Sequence, residues 1–291
     1  MPIITLSSDK MLRKEFIERA IMKKMSPQLY FLNLFPVVDL DGATTFSYFR
    51  DDVSAEDDIQ TGVMSEPLPV SELSALSKID ISTITKKTGD TYQFGYAMEY
   101  SEAKQKENGF VDEVARAIDR MSYGMARKLN GDIFNCMDQF ASATPITLND
   151  GTWDTSAQIN DDIVDMKYSF EDQEGWDYNL TDAFVNTQNF RELNKFYSAL
   201  DGQFTPDDCE GVGFTNTKTA VSEGTLYGID KNIKPITIYK NTNPKHSTMN
   251  GGLINVNTYT QDHYPFSTTI EVWMEVGIAC KHPSAILKQS I

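Results

Sequence analysis

Cysteine is scarce in this sequence. Cys136, Cys209 and Cys280 are its three, far apart and without a C-x-x-C pair. That excludes a disulfide framework and a zinc ribbon, and it fits synthesis in a reducing, intracellular compartment. Histidine is equally rare, and His246, His263 and His282 do not stand at metal-ligand spacing from one another. Basic charge is in deficit: 26 Lys and Arg face 42 Asp and Glu, a net charge of −16. A surface-wide nucleic-acid binder needs clustered cations, so that class is set aside. No apolar run reaches the ~18 residues of a membrane-spanning helix. The most apolar stretch, "LYFLNLFPVV" from Leu29, lies too far into the chain and lacks the small-residue cleavage site of a secretory signal. The nucleophile elbow, the P-loop, the zinc-protease helix and the EF-hand are missing too. "GVGFTN" at Gly211 lacks the third glycine of a dinucleotide fingerprint and the helix that should follow it.

What is present is enough apolar material for a substantial core. With 291 residues, 40% hydrophobic and 11% aromatic, the chain suits one large domain or two intermingled ones. Its charge is uneven. Met1 to Met25 holds six basic and three acidic residues, a local net of +3, which leaves −19 on the remainder. Residues 9–25 read as an amphipathic helix, with Asp9 as cap and Phe16, Ile17, Ala20 and Ile21 on one face, ended by Ser26-Pro27. Residues 50–78 are acidic, carry two close prolines and show no sustained period, so they read as a long exposed arm. A β-hairpin follows. Ile79 and Ile81 alternate on its first strand, Thr88-Gly89-Asp90 makes the turn, and Tyr92, Phe94, Tyr96, Met98 and Tyr100 share a face of the second. An isolated two-stranded ribbon is marginal, so that aromatic face needs a cover.

From Phe110 to Ala141 the apolar period changes to three and four. Val111, Val114, Ala115, Ile118, Met121, Met125, Leu129, Ile133, Met137 and Phe140 predict one very long helix. Gly124 and Gly131 inside it each weaken the helix by about 1 kcal/mol relative to Ala and predict a bend or a close approach. A second helix aligns Ile159, Ile163, Met166 and Phe170. "DAFVNTQNFRELNKFYSAL" reads as a strand followed by a helix, with Phe190, Leu193, Tyr197 and Leu200 at helical spacing. Strands then dominate: "VGFTN", "KPITIYKN", "GGLINVNTYT", and a final long strand alternating Ile270, Val272, Met274, Val276 and Ile278. Acidic clusters occur at Asp51-Asp52, Glu56-Asp57-Asp58, Asp161-Asp162-Asp165 and Asp207-Asp208-Glu210. Two of them folded together would supply acid–base chemistry, which keeps an acidic α+β enzyme open as an alternative. Charge runs in loops are ordinarily solvated, and the sequence assigns no catalytic residue, no metal ligand and no cofactor.

The order of elements is more informative than any motif: basic helix, acidic arm, ribbon, very long helix, mixed insertion, final long strand. In that order the chain resembles the major capsid proteins of tailed double-stranded DNA viruses, the Hong Kong 97 phage capsid fold. "TKKTGDTYQFGYAMEYSEA" looks like the returning strand of that fold's extended loop, and "NGFVDEVARAIDRMSYGMARKLNGDIFNCMDQF" like its spine helix. "DAFVNTQNFRELNKFYSAL" is similar to the axial-domain strand and helix, and "TIEVWMEVGIACKHPSAILKQ" to the C-terminal segment. The resemblance implies an α+β capsid fold. Residues 1–45 would form the N-terminal arm and 46–100 an extended β-hairpin loop. Residues 101–155 and 262–291 would form a peripheral domain with a spine helix near 110–141, and 156–261 an axial domain.

The resemblance further implies self-assembly into pentamers and hexamers of an icosahedral shell around double-stranded DNA. The virion capsid would be its location, host cytoplasm its place of assembly, and scaffold, portal and decoration proteins its further partners, with no membrane. A start at Met1 on the basic helix points to a separate scaffold or to none. Interface residues would then replace catalytic ones. They are Asp51, Asp52, Glu56, Asp57 and Asp58 on the arm, Tyr92, Phe94, Tyr96, Met98 and Tyr100 on the ribbon, and Phe190, Leu193, Tyr197 and Leu200 about the capsomer axis. Lys10, Arg13, Lys14, Lys23 and Lys24 would face a neighbour or the packaged nucleic acid. The same fold also suits an encapsulin-like nanocompartment shell, which a cargo enzyme would distinguish.

Overall fold

A computed structural model describes residues 14–51, 84–101, 110–148, 153, 159–172, 178–199, 211–218, 220–242, 252–261 and 267–291. All structural statements concern those residues. The chain divides into two compact units. One comprises Met1–Phe46, Thr88–Ile133 and Ile238–Ala279; the other comprises Ser47–Lys87, Phe134–Thr237 and Cys280–Ile291.

The first unit is organised by a five-stranded sheet. Its axis is β10 (Ser267–Cys280), fourteen residues long. Antiparallel β4 (Tyr92–Ser101) runs along one edge, from Ser101 opposite Ser267 to Tyr92 opposite Val276. Antiparallel β9 (Asn255–Gln261) covers the first half of the other edge, and β8 (Ile236–Lys240) also pairs with β10. β1 (Val37–Asp39) adds in parallel to β8, with Val37 opposite Ile238. Strict alternation buries Ile270, Val272, Met274 and Val276 on one face, as the sequence period predicts. The other face is half-solvated at Glu271 and Trp273, but Glu275, Gly277 and Ala279 are buried as well.

The hairpin predicted at Thr88-Gly89-Asp90 does not form. Those residues lie within β3 (Ile84–Asp90), which pairs with β2 (Thr45–Asp51) in a two-stranded sheet, while β4 joins β10. A two-residue hairpin turn needs positive φ, and among the described glycines that conformation occurs at Gly42, Gly211 and Gly224, not at Gly89. Gly89 serves a different purpose. The ring of Phe46 occupies the space where a Cβ on Gly89 or Gly277 would stand, 2.6 Å and 2.2 Å from the ring in turn. Phe46 also stacks on Tyr239 with centroids 4.2 Å apart. The first expected hairpin strand, with Ile79 and Ile81, lies outside the described residues.

Helix α1 (Lys14–Met25) packs against β9 and runs into a 3₁₀ turn at Ser26–Gln28 with Pro27 in its first turn. The face it buries is rotated from the predicted one. Ile17, Glu18, Ile21 and Met25 are enclosed, whereas Phe16 and Ala20 line a cavity of about 630 Å³ with Glu15, Arg19 and Lys23. The seventeen, twenty-one, twenty-five spacing makes a continuous apolar row that the Phe16–Ala20 pair does not extend. Helix α2 (Phe110–Phe140) has 31 residues, spans about 46 Å at 1.5 Å per residue, and matches the predicted limits within one residue. Val114, Ile118, Met121, Met125, Leu129, Ile133 and Met137 are all buried on it. Its residues to Ile133 belong to the first unit. There the Asn130 amide donates to the Gln28 carbonyl at 2.7 Å, and Lys24 pairs with Asp119, so α1 and α2 are joined by polar contacts.

The second unit has a four-stranded sheet ordered β11-β7-β5-β6: β11 (Ile286–Ser290), β7 (Thr225–Ile229), β5 (Asp182–Val185) and β6 (Gly213–Asn216). β5 and β6 are parallel, and α4 (Thr187–Ala199) lies between them in sequence; the other pairs are antiparallel. The Asn186 side chain accepts the Asn189 N–H at 2.9 Å and caps α4. Helix α3 (Ile159–Glu171) contributes Ile159, Ile163, Met166 and Phe170 to the core, as predicted from its spacing.

The two glycines of α2 differ in surroundings, and their alanine variants are expected to differ in sign. A Cβ at Gly131 meets nothing within 4 Å, so Gly131→Ala is expected to raise stability by up to about 1 kcal/mol through helix propensity. A Cβ at Gly124 would lie 2.2 Å from the Tyr96 hydroxyl, so Gly124→Ala is expected to gain nothing or to lose. Urea titration of both variants beside wild type measures the contrast.

Candidate assembly surface

The root of the two-stranded ribbon is held by one buried carboxylate. Glu275, on β10, accepts from the Thr91 hydroxyl at 2.9 Å, the Gln93 amide at 2.8 Å and the Asn241 amide at 2.9 Å. Thr91 is the single residue between β3 and β4, and its N–H donates to the Thr44 carbonyl at 2.8 Å, next to the start of β2. Asn241 in turn accepts the Gly42 N–H at 3.0 Å. Beside the β4–β10 ladder, Glu275 thus gathers the entry and exit of the ribbon at the central strand. Removing this acceptor would leave the buried Asn241 amide short of a hydrogen bond, whereas exposed Gln93 can turn to water and Thr91 to the Thr44 carbonyl. Nearby, buried Lys240 donates to the Gly252 carbonyl at 3.0 Å and pairs with Asp39 at 3.3 Å. Burial tends to raise the Asp39 carboxyl, but hydrogen bonds from Thr242, the Asp41 N–H and Lys240 outweigh it and leave it below the usual range.

The ribbon's other end of description, in the second unit, is held by a cation over a ring. The Arg50 guanidinium lies 4.9 Å from the Phe140 centroid at the end of α2. Cys136, one turn back, is buried, and burial pushes its thiol up to about 12, slightly offset by Arg50. In the same unit Asp138 accepts from the Tyr227 hydroxyl at 2.6 Å and pairs with Lys288. Lys288 first and Tyr227 second hold the Asp138 carboxyl below its usual range. Burial, with help from Asp138, raises the Tyr227 phenol.

The aromatic face of β4 finds its cover inside the chain. The Tyr92 hydroxyl donates to Asp132 of α2 at 2.6 Å, and Lys128 lies 6.0 Å over its ring. Tyr96 reaches α2 at Gly124. Phe94 stacks on Tyr92, and Tyr100 is buried beside Met98. Tyr92 and Tyr96 keep 37% and 48% of their surface open, so solvent still reaches this face. On α4, Leu193 is fully enclosed by the core of its own unit and Phe190 is partly buried against it, where the sequence reading had them facing a neighbour. The side chains of Tyr197 and Leu200 lie outside the description, as do those of Asp51, Asp52, Glu56, Asp57 and Asp58. Lys10 and Arg13 are outside it too; Lys14 is half-buried, Lys23 is exposed, and Lys24 is engaged with Asp119.

Two features escaped the sequence reading. Glu275 sits in an apolar strand, and a carboxylate on the more polar side of that strand looked ordinary. On α2 the apolar stripe drew attention from the polar one, where Arg116, Arg120, Tyr123 and Arg127 follow the same three-four spacing.

The family model described as phage capsid protein matches residues 85–289, from the start of β3 into β11. The chain belongs to this phage capsid protein family. Its order of ribbon, long helix and final strand is thus that of a structural protein, and the α+β capsid fold read from the sequence holds. No curated protein matches the chain in sequence. Among solved structures, the virus-like particle from Pyrococcus furiosus is 10% identical, with TM-score 0.57 over 94% of this chain and 97% of that one. The capsid of the cyanophage P-SCSP1u is 7% identical, with TM-score 0.58 over 88% and 86%. The holo-SrpI encapsulin complex from Synechococcus elongatus PCC 7942 is 10% identical, with TM-score 0.59 over 92% and 88%. Likeness at such identities speaks for the fold, and the encapsulin shares it with the viral shells.

Glu275→Ala is expected to cost about 1–3 kcal/mol, chiefly by leaving the buried Asn241 amide without its acceptor, since Gln93 is exposed and the Thr91 hydroxyl also reaches the Thr44 carbonyl at 3.1 Å; denaturant unfolding measures it. Asp138 gives a pH test. Its folded-state value is depressed, so its contribution is present above the unfolded carboxyl value of about 3.9 and is lost as pH falls through the folded value. Asp138→Asn is expected to lower the unfolding free energy at pH 7 by under about 1 kcal/mol for so exposed a pair, and in denaturant titrations the difference is expected to vanish well below pH 4.

Proposed function

We propose that this chain is the major shell subunit of a tailed double-stranded DNA virus, assembling with itself into pentamers and hexamers of an icosahedral capsid. The family match over residues 85–289 carries this reading. In this reading residues 1–45 form the arm, 46–100 the extended loop, 101–155 and 262–291 the peripheral domain, and 156–261 the axial domain. The loop begins with the β2–β3 ribbon that Glu275 anchors, and its acidic residues from Asp51 to Asp58 contact a neighbouring subunit. Tyr92 and Tyr96 contribute their open edges, and Tyr197 and Leu200 contact partners about the capsomer axis. Lys14 and Lys23, with Lys10 and Arg13, face a neighbour or packaged DNA. Scaffold, portal and decoration proteins are the further partners, with assembly in host cytoplasm. The chain acts as a structural element with no catalytic role: of the carboxylate clusters that kept an enzyme open, Asp162 is buried and accepts from the Trp153 indole at 3.1 Å.

The encapsulin's similar fold favours a second reading, a protein-filled nanocompartment shell. Electron microscopy and light scattering of the purified protein, with nuclease digestion of the particles, separate the two. Closed shells or five- and six-membered rings are expected, with nuclease-protected DNA in particles from infected cells. Shells that hold an enzyme and no DNA would establish the nanocompartment. A monomer or dimer at high concentration, with and without a co-expressed scaffold, rules out both.

A further inference from the structure

Ile270, Val272, Met274 and Val276 of β10 point into the core, and the odd-numbered residues of that strand point the other way. On this second face, polar and aromatic residues stand in register across three strands. Asn257 of β9 and Ala97 of β4 flank Glu271, and Gly95 of β4 lies opposite Trp273. Tyr259, opposite Thr269, keeps 43% of its surface open. Asn257, Glu271 and Trp273 are half-buried, while Gly95 and Ala97 are exposed. Glu271 is held loosely. The Tyr259 hydroxyl donates to one of its oxygens at 3.2 Å and the Asn257 amide to the other at 3.5 Å, both longer than ordinary hydrogen bonds. A carboxylate oxygen can accept more than one donor, so both keep capacity for a ligand. Beside Trp273 the surface is bare backbone. A Cβ on Gly95 would stand 2.1 Å from the Val272 carbonyl oxygen and 2.7 Å from the Trp273 Cβ, so no larger residue fits there. The charge is of one sign: β4, β9 and β10 contain Glu99, Glu271 and Glu275 and no lysine, arginine or histidine.

We propose that this face is a carbohydrate-binding platform. It takes the pyranose rings of a neutral oligosaccharide, with Trp273 and Tyr259 against their apolar sides and Glu271 and Asn257 on their hydroxyls. Carboxylates without a cation repel phosphate, sulfate and uronate, which sets aside nucleic acid and acidic polymers. A wholly apolar ligand would strip water from Glu271 and return no hydrogen bond. A basic peptide is the rival occupant, since its charge suits the carboxylates. Ammonium and guanidinium groups only donate, however, and make no use of the second N–H of the Asn257 amide. A hydroxyl both donates and accepts, so a sugar meets each of these groups with its complement. From the Tyr259 row to the Trp273 row the sheet advances about 14 Å, and its three strands make a surface about 10 Å wide, room for a short oligosaccharide. The whole face lies within the first unit of one chain, so it stands whether or not the chain forms a viral shell. A single open site of this kind binds weakly, and repetition over a particle turns weak sites into avidity.

Calorimetric titration of the full-length chain tests this, with maltohexaose, cellohexaose and the N-acetylglucosamine hexamer as probes and with hexagalacturonate and hexalysine beside them. At least one neutral hexasaccharide is expected to bind with a Kd of about 1 mM or tighter. Trp273→Ala and Tyr259→Ala are each expected to weaken it about ten-fold, with circular dichroism unchanged. Tyr168→Ala removes a tyrosine that is 58% exposed in the second unit and is expected to change nothing. Tyr259→Ala, at an open position, keeps the test decisive where Trp273→Ala does not fold. No binding of a neutral sugar, or binding that both variants leave intact, overturns the proposal. Preference for hexagalacturonate overturns it too. Hexalysine bound in place of the sugars gives the face to a basic protein partner. Binding by free subunits that closed shells lose also overturns it, because the face then belongs to a subunit contact.

Discussion

Pairing along both edges of one strand is the constraint from which the first unit follows. β10 can be fourteen residues long because β4 takes one side of it while β9 and β8 share the other. With both edges occupied, its backbone groups are satisfied and its apolar face is free to pack. The same pairing brings the chain segments before β2 and after β3 to one place, where Glu275 gathers donors from Thr91, Gln93 and Asn241. A ribbon of two strands is weak alone. Here its foundation is a three-way hydrogen-bonded carboxylate backed by the Phe46 ring against Tyr239. Stiffness at the root and reach beyond it are what a subunit needs in order to place part of itself on another.

The electrostatics follow a related logic. Six of the described lysines are paired locally: Lys24 with Asp119, Lys128 with Asp132, Lys195 with Glu192, Lys231 with Asp182, Lys240 with Asp39 and Lys288 with Asp138. Apart from that of the buried Lys240, these pairs are exposed and add little to folding. Their effect is to neutralise, residue by residue, a protein whose sequence is strongly acidic.

Much of this was legible in the sequence, for a physical reason in each case. The long helix announced itself because its buried row from Val114 to Met137 never breaks period, and β10 because its apolar residues alternate without interruption. Local pattern fixed both. Pairing is not local, and there the reading failed: Tyr92 to Tyr100 was recognised as a strand but given the wrong neighbour, since nothing in its own residues distinguishes β3 from β10 as a partner. β7 and β11 went unread because Thr225–Ile229 and Ile286–Ser290 lack the clean alternation that marked β8, a strand of the same length. The face of α1 was misjudged by one residue. Phe16 is as apolar as Ile17, and packing against β9 decides which turns inward. Glu275 was invisible for the opposite reason, because its importance lies entirely in what three distant segments bring to it.

The enclosed thiol of Cys136 has a consequence of another kind. With its proton held up to about 12, the fraction present as thiolate at neutral pH is on the order of one part in a hundred thousand. A water-soluble alkylating reagent would find it inert while α2 and the Arg50 side chain stay in place. It would react at an ordinary rate once that corner opens. The rate of labelling is thus a clock for breathing where Arg50 of the ribbon meets the end of α2, readable by mass spectrometry in free subunits and in closed particles alike.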